Sequence, residues 1–405
     1  MNSKIIYLST FLPRSQRDEY IQKVRNASLF SADTYSYALQ QGLSQVFGQQ
    51  LYTINVPPIG YYPTLFTDIK TKPCIETIDG NVIESIGMST VYIYQKYSIY
   101  THTLRALKKQ LQSSDNAKII VYGLLNTAIL KAAFKLKELY PKKKIKIVSV
   151  IPDFPEDVFA SGIKGTIKKM IEGDAAEFYS QFDGFVYLTE AMKERTGSDK
   201  PYCIIEGIYN STGDAGVDYW DSMKSVKTIF YAGMLYEKFG VKTLIDAFTA
   251  VKDDTLKLQL CGTGELVEYI NELALKDPRI EYLGMIPREK AVQLQKEAFL
   301  LVNPRTPEGD FTKYSFPSKN IEYLASGTPT LLYQLPGIPA EYYNYCFSLK
   351  ATELSVADLR DKILEISSFS QAKLSELAST ARQFILSEKN PRKQCLKIDD
   401  LFSKI

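Results

Sequence analysis

The sequence predicts an α/β chain of two parallel-sheet domains that face each other across a cleft. Strand-like and helix-like segments alternate nearly from end to end, the pattern of a parallel sheet covered by helices. The 405 residues exceed one ordinary core and suffice for two, and 45% apolar content can fill both. The alternation pauses at Asn210–Ser225, a polar stretch with few apolar anchors, and then restarts. That pause reads as an inter-domain linker.

In the first half the expected strands are Lys4–Ser9, Leu51–Val56, Lys118–Tyr122, Ile145–Ile151, Gly184–Leu188 and Tyr202–Glu206. Asp79-Gly80 sits among alternating residues between Glu76 and Ile86, which signals a hairpin. Helical periodicity covers Ala27–Val46, Thr90–Leu111 and Thr127–Leu139. In the second half the expected strands are Thr228–Tyr231, Leu256–Cys261, Ile280–Leu283, Phe299–Asn303 and Thr330–Tyr333. Helices are expected at Val241–Val251, up to Leu275, at Glu289–Ala298, Val356–Ser367 and Gln371–Ser387. The boundaries are 1–210 for the first domain, 211–226 for the linker and 227–388 for the second domain. The segment 389–405 is helical in period and is expected to pack back on the first domain.

Bulk composition excludes several classes. A formal charge of +3 gives no reason to expect nucleic acid as the main partner. One histidine, His102, rules out a His-based metal site or a Ser-His-Asp triad built elsewhere. It lies mid-helix and reads as a surface or packing residue. Cys74, Cys203, Cys261, Cys346 and Cys395 are odd in number and lack CxxC spacing, as in reduced cytosolic thiols. No apolar run is long enough to span a bilayer, and MNSKIIYLST lacks the shape of a signal peptide. The chain reads as cytoplasmic, with contact at the inner face of a membrane left open.

Chemistry concentrates in Tyr314–Pro329, YSFPSKNIEYLASGTP. A turn through Pro317 leads into a helix opening at Ser318 and closing at Gly327. Its free N–H groups and partial positive charge suit a phosphate. Ser318 is expected to cap that start, and Lys319 adds a full charge beside it. Glu322 lies one turn further in and can accept hydrogen bonds from two neighbouring sugar hydroxyls. These are the parts of a nucleotide site; the plainer alternative is a capped amphipathic helix with a solvent-facing Glu.

The second half resembles the donor domain of family 4 glycosyltransferases, which have the two-domain GT-B fold. The likeness runs through YAGMLYEKFGVKTLIDAF, LQLCGTGEL, IEYLGMIP, FLLVNPR and SFPSKNIEYLASGTP, over residues 227–340 in family order. The last block looks most like bacterial enzymes that build capsular and other surface polysaccharides. The fold implied is GT-B, with two Rossmann-like domains. The resemblance assigns Glu322 to the ribose hydroxyls and the N–H groups of Phe316 to Lys319, including Pro317 and Ser318, to the diphosphate. It gives Lys238 to the leaving diphosphate and the Gly284-Met285-Ile286 backbone to the base. No metal is implied, and no cofactor beyond the nucleoside diphosphate-sugar substrate; no paired Asp motif suits a metal. Three departures stand out. Tyr314 takes the place of a second Glu, and Met234 that of a usual Arg, whose charge Arg305 is the candidate to replace. STFLPRSQRDEY replaces a glycine-rich loop, with Arg14 and Arg17 as anion contacts.

Acceptor sites in this fold lie on the first domain. Asp153, after strand Ile145–Ile151, is the candidate to orient or deprotonate the acceptor hydroxyl, although an Asp between prolines also caps turns. Asn126 and Glu190 are cleft candidates of the same kind. Two basic stretches, Lys142-Lys143-Lys144 with Lys146, and Lys164, Lys168 and Lys169, suit either a solvated face or a weak contact with an anionic membrane. The reading is a retaining, metal-independent glycosyltransferase acting on a glycan or lipid-linked glycan acceptor. The alternative is a non-catalytic GT-B subunit that binds glycan or partner and supports a true transferase. A sugar-nucleotide epimerase is disfavoured by the single His.

Overall fold

The computed structural model describes residues 3–25, 33–112, 114–124, 126–154, 175–211 and 226–405. The stretch 212–225 read as linker, and Lys164, Lys168 and Lys169, lie outside the described residues. The chain divides into two compact units, Met1–Asn210 with Asn390–Ile405, and Ser211–Lys389.

The first unit runs β1 (Lys4–Ser9), α1 (Arg17–Lys23), α2 (Asp33–Phe47), β2 (Leu51–Asn55), β3 (Cys74–Ile78), β4 (Asn81–Ser85), α3 (Tyr92–Leu111), β5 (Asn116–Tyr122), α4 (Thr127–Leu139), β6 (Lys144–Ile151), β7 (Gly184–Tyr187), α5 (Met192–Thr196) and β8 (Tyr202–Ile204). Its sheet has the order β3-β4-β2-β1-β5-β6-β7-β8. Every pairing is parallel except the β3–β4 hairpin. Asp79 and Gly80 turn that hairpin with φ of 51° and 77°, the left-handed pair that a two-residue turn needs. β1 is an almost unbroken buried run because helices cover both faces of a parallel sheet. The chain winds outward from β1 on one side and then from β5 on the other. The ends of β1 and β5 are therefore a topological switch point, where such sheets bind ligands.

The second unit runs β9 (Lys227–Met234), α6 (Val241–Thr249), β10 (Leu256–Thr263), α7 (Val267–Ala274), β11 (Ile280–Tyr282), α8 (Arg288–Glu297), β12 (Leu300–Asn303), α9 (Lys319–Ala325), β13 (Thr330–Tyr333), β14 (Phe347–Leu349), α10 (Val356–Ser367) and α11 (Gln371–Glu388). Its parallel sheet has the order β11-β10-β9-β12-β13-β14, with the switch point between β9 and β12. The edge strand β14 was not expected: three residues are too few to show alternation.

The last helix, α12 (Pro391–Ser403), belongs to the first unit. Asn390 caps it by accepting the Lys393 N–H at 2.9 Å, and Pro391 fits its first turn. Cys395, Ile398, Leu401 and Phe402 are buried in a core shared with Tyr7 and Leu43. Among the described residues no helix is long and apolar enough to cross a membrane.

Candidate functional site

In the second unit the candidate side chains gather at the β9/β12 switch point. The signature helix α9 is pinned over the end of β9, where the Ala232 N–H donates to the Tyr323 hydroxyl oxygen at 3.1 Å. Buried Asn320, next along, accepts from Asn303 of β12 at 2.7 Å. These anchors set Lys319 against Gly233 and 5.6 Å from the centre of the Tyr231 ring. A side chain at 233 would meet the lysine ammonium and push that end of Lys319 aside, so glycine leaves room for the close approach.

Arg305 enters from the loop after β12. Its Nη2 donates to Ser315 Oγ at 2.7 Å, its guanidinium stacks over Phe311 at 4.7 Å, and its Nε is buried without a partner. Gly240 holds φ at 76°, and its α-carbon packs against the Pro304 carbonyl with no room for a side chain. The turn carrying Lys238 is thereby held against Pro304–Arg305. Lys238 itself is exposed, over the Phe239 ring at 5.1 Å.

Two cations thus sit half-buried at one strand end, and among the described residues neither has an acidic side chain bonded to it. Burial holds the Lys319 ammonium below its ordinary range, against smaller opposing pulls from Glu322 and Cys261. Burial also draws Arg305 down to about 10, with Tyr231 opposing, so it stays charged at neutral pH. An uncompensated buried cation is costly, and a bound anion would offset the cost.

Glu322 has a partner that sequence reasoning missed: Arg288 Nη2 donates to its Oε1 at 2.7 Å. Arg288 opens α8, and nothing in the spacing of the two residues announces the pair. Met285 is 75% exposed at the end of β11, and the Gly284 carbonyl accepts from the Gly262 N–H at 2.9 Å. Ile286 packs partly into the core beneath Phe230 and Tyr323. Phe316 is buried against Tyr342, and Tyr314 is half-buried beside it in sequence.

Two expectations about the helix start need correcting. Ser318 does not cap: at φ −54° and ψ −29° it is already helical, and its side chain makes no capping bond. Pro317 has no N–H to offer; its carbonyl accepts from Asn320 at 2.9 Å. The N–H groups of Phe316, Ser318 and Lys319 have no partner among the described residues.

In the first unit, Asn55 and Asp33 clamp the loop after β1. Asn55 Oδ1 accepts from the Phe11 N–H at 3.0 Å, and Asp33 Oδ1 from the Leu12 N–H at 2.5 Å. Asp33 Oδ2 also pairs with Arg17 at 2.6 Å, so the expected anion contact Arg17 has a carboxylate beside it. Arg14 is exposed and stacks on Tyr37 at 4.6 Å. Asp153 is exposed at the end of β6. Burial raises the Tyr122 hydroxyl, and the charges of Asp153 and Asp33 add to that, so both carboxylates lie near the switch point. Asn126 caps α4, its Oδ1 accepting the Ala128 N–H at 3.2 Å. Glu190 accepts from the Tyr202 hydroxyl at 2.8 Å, at the β7–β8 edge. Two of the four lysines at 142–146 have partners: Lys143 donates to the Leu111 and Ser114 carbonyls at 2.8 Å, and Lys146 pairs with Asp183 at 3.4 Å. His102 Nδ1 lies 2.5 Å from the Gly87 carbonyl oxygen. Among the described residues no group of three or more His, Cys, Asp or Glu could hold a metal ion.

Two Rossmann-like α/β units with ligand-type features at their strand ends define the GT-B class of fold. Comparison with known proteins supports this. Residues 226–367 match the family of glycosyl transferases group 1, so the second unit carries a domain whose activity class is glycosyl transfer. No curated protein matches the chain. Among solved structures, the chain is similar to sucrose-phosphate synthase from Thermosynechococcus elongatus, at 14% identity and TM-score 0.62 over 99% of this chain and 98% of that one. It is similar to a trehalose-6-phosphate protein from E. coli bound with UDP-2-fluoro glucose, at 12% identity and TM-score 0.63 over 98% and 99%. It is also similar to TarM of S. aureus in complex with UDP and alpha-GlcNAc-glycerol, at 15% identity and TM-score 0.51 over 78% and 60%.

Proposed function

We propose that the chain is a retaining, metal-independent glycosyltransferase. It moves a sugar from a nucleoside diphosphate-sugar to a lipid-linked surface-polysaccharide acceptor, of the capsule or exopolysaccharide kind, at the inner face of a bacterial membrane. The observation that carries this reading is the convergence of Lys319 and Arg305, two half-buried cations without acidic partners, at the β9/β12 switch point.

Departure of a nucleoside diphosphate leaves an oxocarbenium-like sugar and puts negative charge on the leaving oxygens. Lys319, Arg305 and the free N–H groups of Phe316, Ser318 and Lys319 are placed to receive that charge. A preorganised donor of this kind supplies about 2.7–4 kcal/mol of transition-state stabilisation. Lys238 adds a further charge from its exposed turn. Glu322 reads the ribose, exchanging Arg288 for two hydroxyls, and the Gly284–Ile286 backbone meets the base beside exposed Met285. Asp153 orients or deprotonates the acceptor hydroxyl. Retention follows from the family resemblance, in which the incoming hydroxyl attacks the face the diphosphate leaves.

The test is a reaction of purified chain with UDP- and GDP-sugars and lipid-linked acceptors in the presence of a chelator. Product with the donor's anomeric configuration supports the reading. Failure of every donor while nucleotide binding is intact would remove the catalytic claim and leave a binding subunit.

A further inference from the structure

We propose that the first unit carries a second binding site, for a single-chain lipid with an anionic head group. It is a cavity between α3 and the segments 69–73 and 84–91, with a volume of about 820 Å³. That lies within the roughly 300–1,000 Å³ usual for small-molecule sites. None of its residues is assigned above to nucleotide or acceptor, so this inference stands apart from the reading of the donor site.

The lining sorts by chemistry. Ile86, Met88 and Ala106 are buried and give an apolar floor. Ile69 and Val91 also line it and are 56% and 37% exposed, which places them at the mouth. Lys70, Arg105 and Lys109 line it as well, all exposed, and among the described residues no ion pair neutralises any of them. The one acid of the lining, Glu84, accepts a hydrogen bond from the Tyr52 hydroxyl at 2.6 Å. Nearby Asp68 is paired with Lys23 at 2.8 Å. The His102 ring faces the same space; a carbonyl only accepts, so Nδ1 donates to Gly87 and Nε2 is the ring's remaining polar atom.

The arrangement along α3 extends this chemistry. Ser98, His102, Arg105 and Lys109 follow one stripe of the helix at three- and four-residue spacing. Tyr94, 66% exposed, continues that stripe one turn outward, with Tyr97 at 68% and Ile93 at 76% beside it. A cationic rim over an apolar floor selects an anionic head joined to an apolar body. The exposed aromatic and aliphatic side chains beyond the mouth give a chain longer than the cavity somewhere to lie.

The probe is decyl phosphate, titrated calorimetrically into the full chain below its micelle concentration, beside butyl phosphate, inorganic phosphate and decyltrimethylammonium. The expected result is saturable binding of decyl phosphate at one site, with the other three at least about tenfold weaker. The double variant Arg105→Gln/Lys109→Gln, at exposed positions, is expected to weaken decyl phosphate binding by about tenfold and to leave UDP and GDP binding unchanged. Equal affinity for inorganic phosphate or for the ammonium amphiphile would overturn the proposal. So would unchanged decyl phosphate affinity in the double variant.

Discussion

The Lys319 side chain occupies the space that a side chain at residue 233 would fill. A β-carbon built on Gly233 falls 2.6 Å from Lys319 Cε and collides with the ammonium itself. The absence of a side chain at 233 therefore sets where the Lys319 ammonium can sit. Gly233→Ala should displace Lys319 and weaken UDP or GDP binding by about tenfold or more, measured by calorimetry, while circular dichroism at room temperature stays as in the parent.

Stability and binding should trade off at Lys319. Burial lowers its pKa in the folded state below the ordinary 10.5, so the unfolded chain holds that proton more tightly. The charged lysine thus costs stability at neutral pH, and the cost fades as pH rises through the folded value toward 10.5. Lys319→Met should raise Tm at neutral pH. The gain should shrink in scans at higher pH, and the Tm increase that nucleotide gives the parent should be lost.

On the proposed reading, Arg288 and the ribose would compete for Glu322. The pair is half-exposed, at 67% and 34% of side-chain area, so the ion pair itself contributes little. Glu322→Ala should weaken nucleotide binding roughly 10- to 100-fold, and the loss should be smaller for the 2′-deoxy nucleotide. Arg288→Ala should leave affinity unchanged or improve it. A loss at Arg288 as large as that at Glu322 would mean the arginine, not the carboxylate, is the ligand contact.

The chain's last helix completes the first unit rather than the second. Deleting 390–405 would uncover Tyr7, Leu39 and Leu43, now packed on Cys395, Ile398 and Phe402. The truncated chain should show lost protection of β1 amides in hydrogen exchange and a lower, broader thermal transition. Amides of β9 and β10, in the other unit, should keep theirs.

The alternation of strand and helix made the α/β class legible, because buried parallel strands and their covering helices differ in apolar period. The helix that carries Lys319 and Glu322 was legible because it has a start, a stop and a charge pattern in consecutive residues. What the sequence hid was partnership over distance. Arg17 reads as a free cation until the fold brings Asp33 to 2.6 Å, and Glu322 reads as free until Arg288 does the same. Asn126 also turns out to cap α4, a local bond the cleft reading did not include. Ser318 has the composition of a cap, but capping depends on backbone angles that the turn through Pro317 had already set. Lys143 and Lys146 look like part of a basic patch, and tertiary contacts turn them inward to carbonyls and Asp183.

The most direct measurement is a calorimetric titration of UDP and of GDP into the intact chain and into Lys319→Met and Glu322→Ala. Saturable binding of at least one nucleotide, weakened by both substitutions, is the predicted result. Absence of binding by either nucleotide, or affinity that both substitutions leave unchanged, would contradict the account.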